Sequence, residues 1–116
     1  VNNLILAAHQ QGNVVIIGRG GQCLLHGMGD VVCVRLQAPL ELRIRRHQER
    51  AGLTAEVARQ QVLLRDQASA DYVRHYFLEN IDNPLLYDLI LNTGKLTPAR
   101  AVELIVQAAA KLTAGQ

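Results

Sequence analysis

Tryptophan is absent from this 116-residue chain, and aromatic residues make up only 3% of it. A core without large rings must be filled by Leu, Val, Ile and Ala, which supply much of the 49% apolar content. Lysine is scarce as well: Lys95 and Lys111 stand against ten arginines. The two cysteines, Cys23 and Cys33, form no Cys-x-x-Cys pair and have no clustered histidines to complete a zinc site, so both are expected to be buried thiols. No apolar run approaches the roughly 20 residues of a membrane helix, and no signal peptide is visible; a cytoplasmic location without a membrane partner is expected. The formal net charge of +2 gives no basis for bulk binding to nucleic acid. The Gly-x-x-x-x-Gly-Lys-Ser/Thr spacing of a phosphate-cradling P-loop is missing too, and the two lysines lie in the wrong contexts to replace it.

The length suits one domain with one core, residues 1–116. Three stretches carry β-branched, unalternating runs: "VVIIG" (Val14–Gly18), "DVVCVRLQAP" (Asp30–Pro39) and "LYDLILNTG" (Leu86–Gly94). Strands covered on both faces read this way, and helical stretches separate them. The expected fold is therefore α/β, a three-layer parallel sheet flanked by helices. Asn2 and Asn3 can open a first helix that Gly12 ends. Pro39 stands at the start of a second, "LELRIRRHQERAG", with Leu40 and Ile44 on one side and Gly52 at its end. Thr54 is a natural N-cap for the long segment that follows, polar enough for part of it to stand away from the core. Thr97 and Pro98 start a closing amphipathic helix with Ala101, Leu104, Ile105 and Ala108 as its stripe.

Ligands of open parallel sheets bind beyond the carboxyl ends of the strands. Arg19 follows the first apolar run among Gly18, Gly20 and Gly21; the glycines can make a tight turn, but such a turn has no use for a guanidinium. Asn92 and Thr93 follow the third run and can reach the same edge. A second cluster, Arg43, Arg46, Arg50, Arg59, Arg65, Asp66 and Arg74, is spread over two consecutive helical segments. Arginine suits planar, bidentate recognition of phosphate, and arginines that close over a nucleotide stabilise the charge spread during phosphoryl transfer. Same-helix ion pairs, such as Glu41 with Arg45 or Arg46 with Glu49, need no ligand and are the better account of any single arginine here. His47 and His75 lie on polar helical stretches and are expected in solvent; the histidines form no metal-ligand spacing. Asp88 opens the third run as a site residue or a structural one.

In order, "VVIIGRGG", "VVCVRLQAPLELRIRR", "RDQASADYVRHYF" and "YDLILNTGKLT" resemble the cytidylate kinase-like family of P-loop nucleoside monophosphate kinases, over about Gly12 to Ile105. The resemblance implies a partial P-loop kinase-like core with a helical lid at about residues 40–80. It also implies transfer of the ATP γ-phosphoryl group, with Mg²⁺, to CMP or a related acceptor. Arg19, Asp66 and Arg43 would then bind substrate, and Arg46, Arg65 and Arg74 would be the catalytic arginines. The family opens with a strand and P-loop that this chain does not show, so the chain as it stands is expected to be inactive alone. The sheet edge this leaves favours a homodimer. Ser69 stands where the family's Asp-x-x-Arg pattern places an arginine, which thins the lid. Two other classes remain: a catalytically silent nucleotide-binding or interaction domain, and a helix-turn-helix DNA-binding protein built on "RIRRHQERAGLTAEVARQ". The β-branched runs and the small net charge argue against the second.

Overall fold

The computed structural model describes residues 2–18 and 20–114. It is an α/β fold, mostly helical, around a small parallel sheet. In chain order the elements are α1 (Asn2–Gln11), α2 (Gly21–Leu25), β1 (Val34–Gln37), α3 (Leu40–Ala51), α4 (Ala55–Phe77), a 3-10 turn (Pro84–Leu86), β2 (Leu89–Asn92) and α5 (Pro98–Ala114).

The helix ends follow from local chemistry. Gly12 closes α1 by donating its N–H to the carbonyls of Ala8 and His9. Thr54 caps α4, its hydroxyl accepting from the Val57 N–H at 3.3 Å. Thr97 does the same for α5, accepting from the Arg100 N–H at 3.2 Å. The end of α4 is less usual, because Leu78 adopts φ 55 there while its N–H bonds to the Arg74 carbonyl at 3.0 Å. A branched residue in the left-handed region costs roughly 1 kcal/mol, held here by the capping bond.

Two of the three expected strands form. β1 and β2 pair in parallel with Val34 opposite Leu89 and Gln37 opposite Asn92. Asp88 takes part in this pairing, which gives it a structural role: its carboxylate accepts from the Cys33 N–H at 2.7 Å, while its own N–H donates to the Cys33 carbonyl at 2.7 Å. Val14–Ile17 corrects the three-strand expectation, since it belongs to no strand of the described sheet. The physical reason is pairing. A β-branched run becomes a strand only when a neighbour takes its backbone groups, and none of the described strands lies beside this one. Val15 and Ile17 are 86% and 89% exposed in consequence.

The core is small. Ile5, Leu25, Cys33, Ile44, Ala58, Val73, Leu86, Leu91 and Ala101 are buried, and Leu86 is the largest side chain among them that is fully covered, at 1% exposure. Cys33 is a buried thiol and Cys23 a half-buried one. Burial raises the pKa of both; nearby charge, from Glu79 for Cys23 and from Asp88 for Cys33, adds to it. Such thiols stay protonated and unreactive at neutral pH. Much of α4 stands clear of the core, with Leu63 and Leu64 exposed, as its polar sequence predicts.

Candidate functional site

The carboxyl ends of β1 and β2 meet at Gln37 and Thr93. Thr93 donates both its N–H and its hydroxyl to the Gln37 carbonyl, at 2.7 and 3.1 Å. Gly94 permits this closure: a Cβ there would meet Pro39 Cδ at 2.8 Å and the Asn92 side-chain oxygen at 2.9 Å. The two strand-end loops therefore pass within contact of each other, and only a residue without a side chain fits between them.

Onto this edge α3 and α4 close a cleft of about 290 Å³, lined by Gln37, Arg43, Arg46, His47, Arg50, Gln61, Arg65, Asp66 and Thr93 among others. Its charged lining is four arginines against one carboxylate. The ion pairs foreseen within α3 do not form. Glu41 instead reaches across to Arg59 on α4 at 2.7 Å. Arg43 makes a bidentate pair with Asp66, both contacts at 3.0 Å, and its Nε donates to the Ala38 carbonyl at 3.2 Å. Arg46 reaches back to the strand ends, donating to the Thr93 carbonyl at 2.7 Å and to its hydroxyl at 3.2 Å. Arg50 and Arg65 carry no ion pair or side-chain hydrogen bond among the described residues, which leaves two guanidinium groups available to an anion.

Of the residues singled out from the sequence, Arg43, Arg46, Arg65 and Asp66 thus come together in one cleft. Arg74 does not join them: it is exposed near the end of α4 and lines neither this cleft nor the neighbouring one. Arg19 lies outside the described residues. His47 corrects its expectation of full exposure, being half-buried in the cleft with Nε2 2.7 Å from the Gln61 side-chain oxygen. Spacing alone could have suggested this, because His47 falls one residue after Arg46 and four after Arg43, on the turn that faces α4.

A second groove, of about 720 Å³, lies on the other side of the Arg43–Asp66 pair and is lined by Arg35, Ser69, Ile81, Asp82 and Asn92 among others. Arg35 is fully engaged there. It donates to the Ile81 carbonyl at 2.8 Å, pairs with Asp82 at 2.8 Å and stacks 5.5 Å over the Tyr87 ring. The Tyr87 hydroxyl donates to the same Ile81 carbonyl at 2.7 Å, and burial first of all raises its pKa. Among the described residues no group of three or more His, Cys, Asp or Glu side chains could hold a metal ion.

A parallel sheet whose strands end under an arginine-lined helical pair defines an α/β protein with a cationic cleft at the carboxyl edge of its sheet. Residues 2–95 match the model of the cytidylate kinase-like family, and the chain belongs to that family. Among curated proteins it is 30% identical to the cytidylate kinase of Ignicoccus hospitalis over 105 residues, covering 90% of this chain and 60% of that one. It is 31% identical to the cytidylate kinase of Pyrococcus horikoshii, with 90% and 53% covered. A uronate isomerase of Corynebacterium glutamicum is 30% identical over 92% of this chain, but the match covers only 20% of that protein. The chain thus spans between a fifth and three-fifths of the length of these relatives. An uncharacterized protein from Eubacterium ventriosum has the same fold, with a TM-score of 0.85 at 20% identity, over 95% of this chain and 63% of its own. Among the described residues no helix is long and apolar enough to cross a membrane.

Proposed function

We propose that the chain is a nucleoside monophosphate kinase-like domain whose α3–α4 pair is the lid, and that the cleft beneath it receives phosphoryl groups. The observation that carries this reading is the cleft itself, four arginines against one carboxylate at the carboxyl ends of two parallel strands. In the whole protein the reaction is transfer of the ATP γ-phosphoryl group to CMP or a related acceptor. Arg65 and Arg50 neutralise the phosphates; Arg46 holds the strand-end turn beneath them and Arg43, through Asp66, ties the lid helices together. Arg19 contacts the acceptor in the same reading, and Arg74 joins the phosphates only through a movement of α4.

The test is an NMR titration of the chain with CMP and separately with Mg-ATP, repeated with Arg65→Ala and with Arg19→Ala. Saturable shifts in α3 and α4 that weaken in Arg65→Ala support the cleft. An unchanged spectrum with both nucleotides removes it. One observation favours a second reading, a silent nucleotide-binding domain: Arg43 and Arg46 are already occupied by Asp66 and Thr93, and Ser69 supplies no further lid cation. Nucleotide binding without ADP formation by the whole protein distinguishes it.

Self-association belongs to the same proposal. The Cys33 and Gln37 carbonyls point toward β2, so by strand alternation the backbone groups of Val34 and Leu36 point to the opposite edge, where no described strand lies. With Leu36 57% exposed beside them, this edge suits a second copy. Analytical ultracentrifugation of the wild type against Leu36→Lys tests it: a dimer that the lysine dissociates is the expected result.

A further inference from the structure

The imidazole of His47 is the one group in the cleft that the reading above leaves without a task. Its charged neighbours are Arg43, Arg46 and Arg50 from α3 and Arg65 and Asp66 from α4, and the strand ends add none. Asp66 is committed to Arg43 through both oxygens. The ring is held at Nε2 by the Gln61 side-chain oxygen, 2.7 Å away on the facing helix, while Nδ1 has no partner among the described residues. A structural bridge between two exposed helix faces needs only one donor, and a glutamine or asparagine would supply it. An imidazole adds a second nitrogen, which accepts when the ring is neutral and donates when it is charged.

We propose that His47 is a direct ligand of the phosphoryl group in the α3–α4 cleft and makes its binding depend on pH where the arginines cannot. The proposal rests on the cleft being a phosphoryl site. Arginine stays charged at every physiological pH, so Arg50 and Arg65 attract an anion equally at pH 5 and pH 8. Imidazole is the side chain whose charge changes in that interval. Neutral His47 turns a lone pair toward the anion; protonated, with Gln61 fixing the ring by the other nitrogen, it donates to it. A bound dianion stabilises the charged ring, and by linkage the charged ring stabilises the bound dianion, so affinity rises as pH falls.

Sulfate is the probe, because it stays dianionic across the range whereas phosphate itself titrates. Its binding to the whole chain is followed by NMR shifts of α3 and α4 at about pH 5.5 and about pH 8, for the wild type, His47→Gln and His47→Lys. One charge-assisted hydrogen bond predicts affinity roughly tenfold tighter at the lower pH in the wild type. His47→Gln keeps a hydrogen bond to Gln61 and binds weakly at both pH values; His47→Lys binds at both with the same affinity. A pH dependence that survives in His47→Gln belongs to another group and overturns the proposal. Saturable binding with no pH dependence in the wild type overturns the His47 role and leaves the phosphoryl cleft standing. Absence of sulfate binding at either pH overturns both.

Discussion

Between Leu40 and Phe77 two helices are braced by side chains from both, Arg43 with Asp66, Glu41 with Arg59 and His47 with Gln61. Between Val14 and Ile17 the chain instead forms neither helix nor strand, with Val14, Val15 and Ile17 exposed. The first region is the more polar by sequence and is tied by side chains of both helices; the second is a β-branched run whose side chains are largely exposed. Polar groups on adjacent helices find partners within a few ångströms because a short turn returns the chain on itself. A strand finds its partner only through a non-local neighbour, and one missing neighbour exposes the whole run.

The comparison breaks or holds first on stability. Leu86→Ala should lower the unfolding free energy by about 2–5 kcal/mol, while Ile17→Ala, at a solvated side chain, should stay within about 0.5 kcal/mol. Urea denaturation followed by circular dichroism measures both. An Ile17→Ala cost near that of Leu86→Ala means that the Val14–Ile17 run is covered in solution. Arg65→Ala is next in size: losing a charge-assisted hydrogen bond to phosphate should weaken CMP binding about tenfold without moving the melting temperature.

Asp66→Asn comes third and sharpens the contrast from the braced side. The Arg43–Asp66 pair is half-exposed, so its loss should cost about 1 kcal/mol or less, screened by salt. The same change removes the only carboxylate of the cleft lining among the described residues and frees Arg43, so anion affinity should rise. Calorimetric titration with CMP at low and high ionic strength reads this; a fall in affinity means that Asp66 touches the acceptor itself. The smallest effect is at the end of α1, where a hydrogen bond from His9 holds the Asp30 carboxyl below its ordinary pKa. A depressed carboxylate stabilises the fold above its unfolded pKa of about 3.9 and loses that contribution as pH falls through the lower folded value. Asp30→Asn should flatten the dependence of α1 amide shifts on acid pH, with little change at neutral pH.

The helices were legible because their signals are local. Gly12, Gly52, Thr54 and Thr97 mark ends that the fold uses, with Gly52 at φ 65 directly after α3. The apolar side of α3 was readable from Leu40 and Ile44, and Ile44 is buried. The strands were legible only as candidates. Cys33–Asp88 and Gln37–Thr93 hydrogen bonds admit two of the runs to the sheet, and nothing in "VVIIG" announces that it stays outside. In the cleft, Arg43, Arg46, Arg65 and Asp66 were readable as a cluster by type. Their partners were not, because the lengths of α3 and α4 and the turn between them decide which side chains face each other.

The sequence by itself determined the helical segments, the arginine-rich pair and the membership of the cytidylate kinase-like family, since caps, periodicity and motif order are written within a few residues of each other. Only the tertiary structure decided which charges cancel and which remain. Asp66 neutralises Arg43 and Glu41 neutralises Arg59, while Arg50 and Arg65 stay available and His47 turns inward. Those outcomes depend on distances between residues about twenty positions apart, which no local pattern encodes.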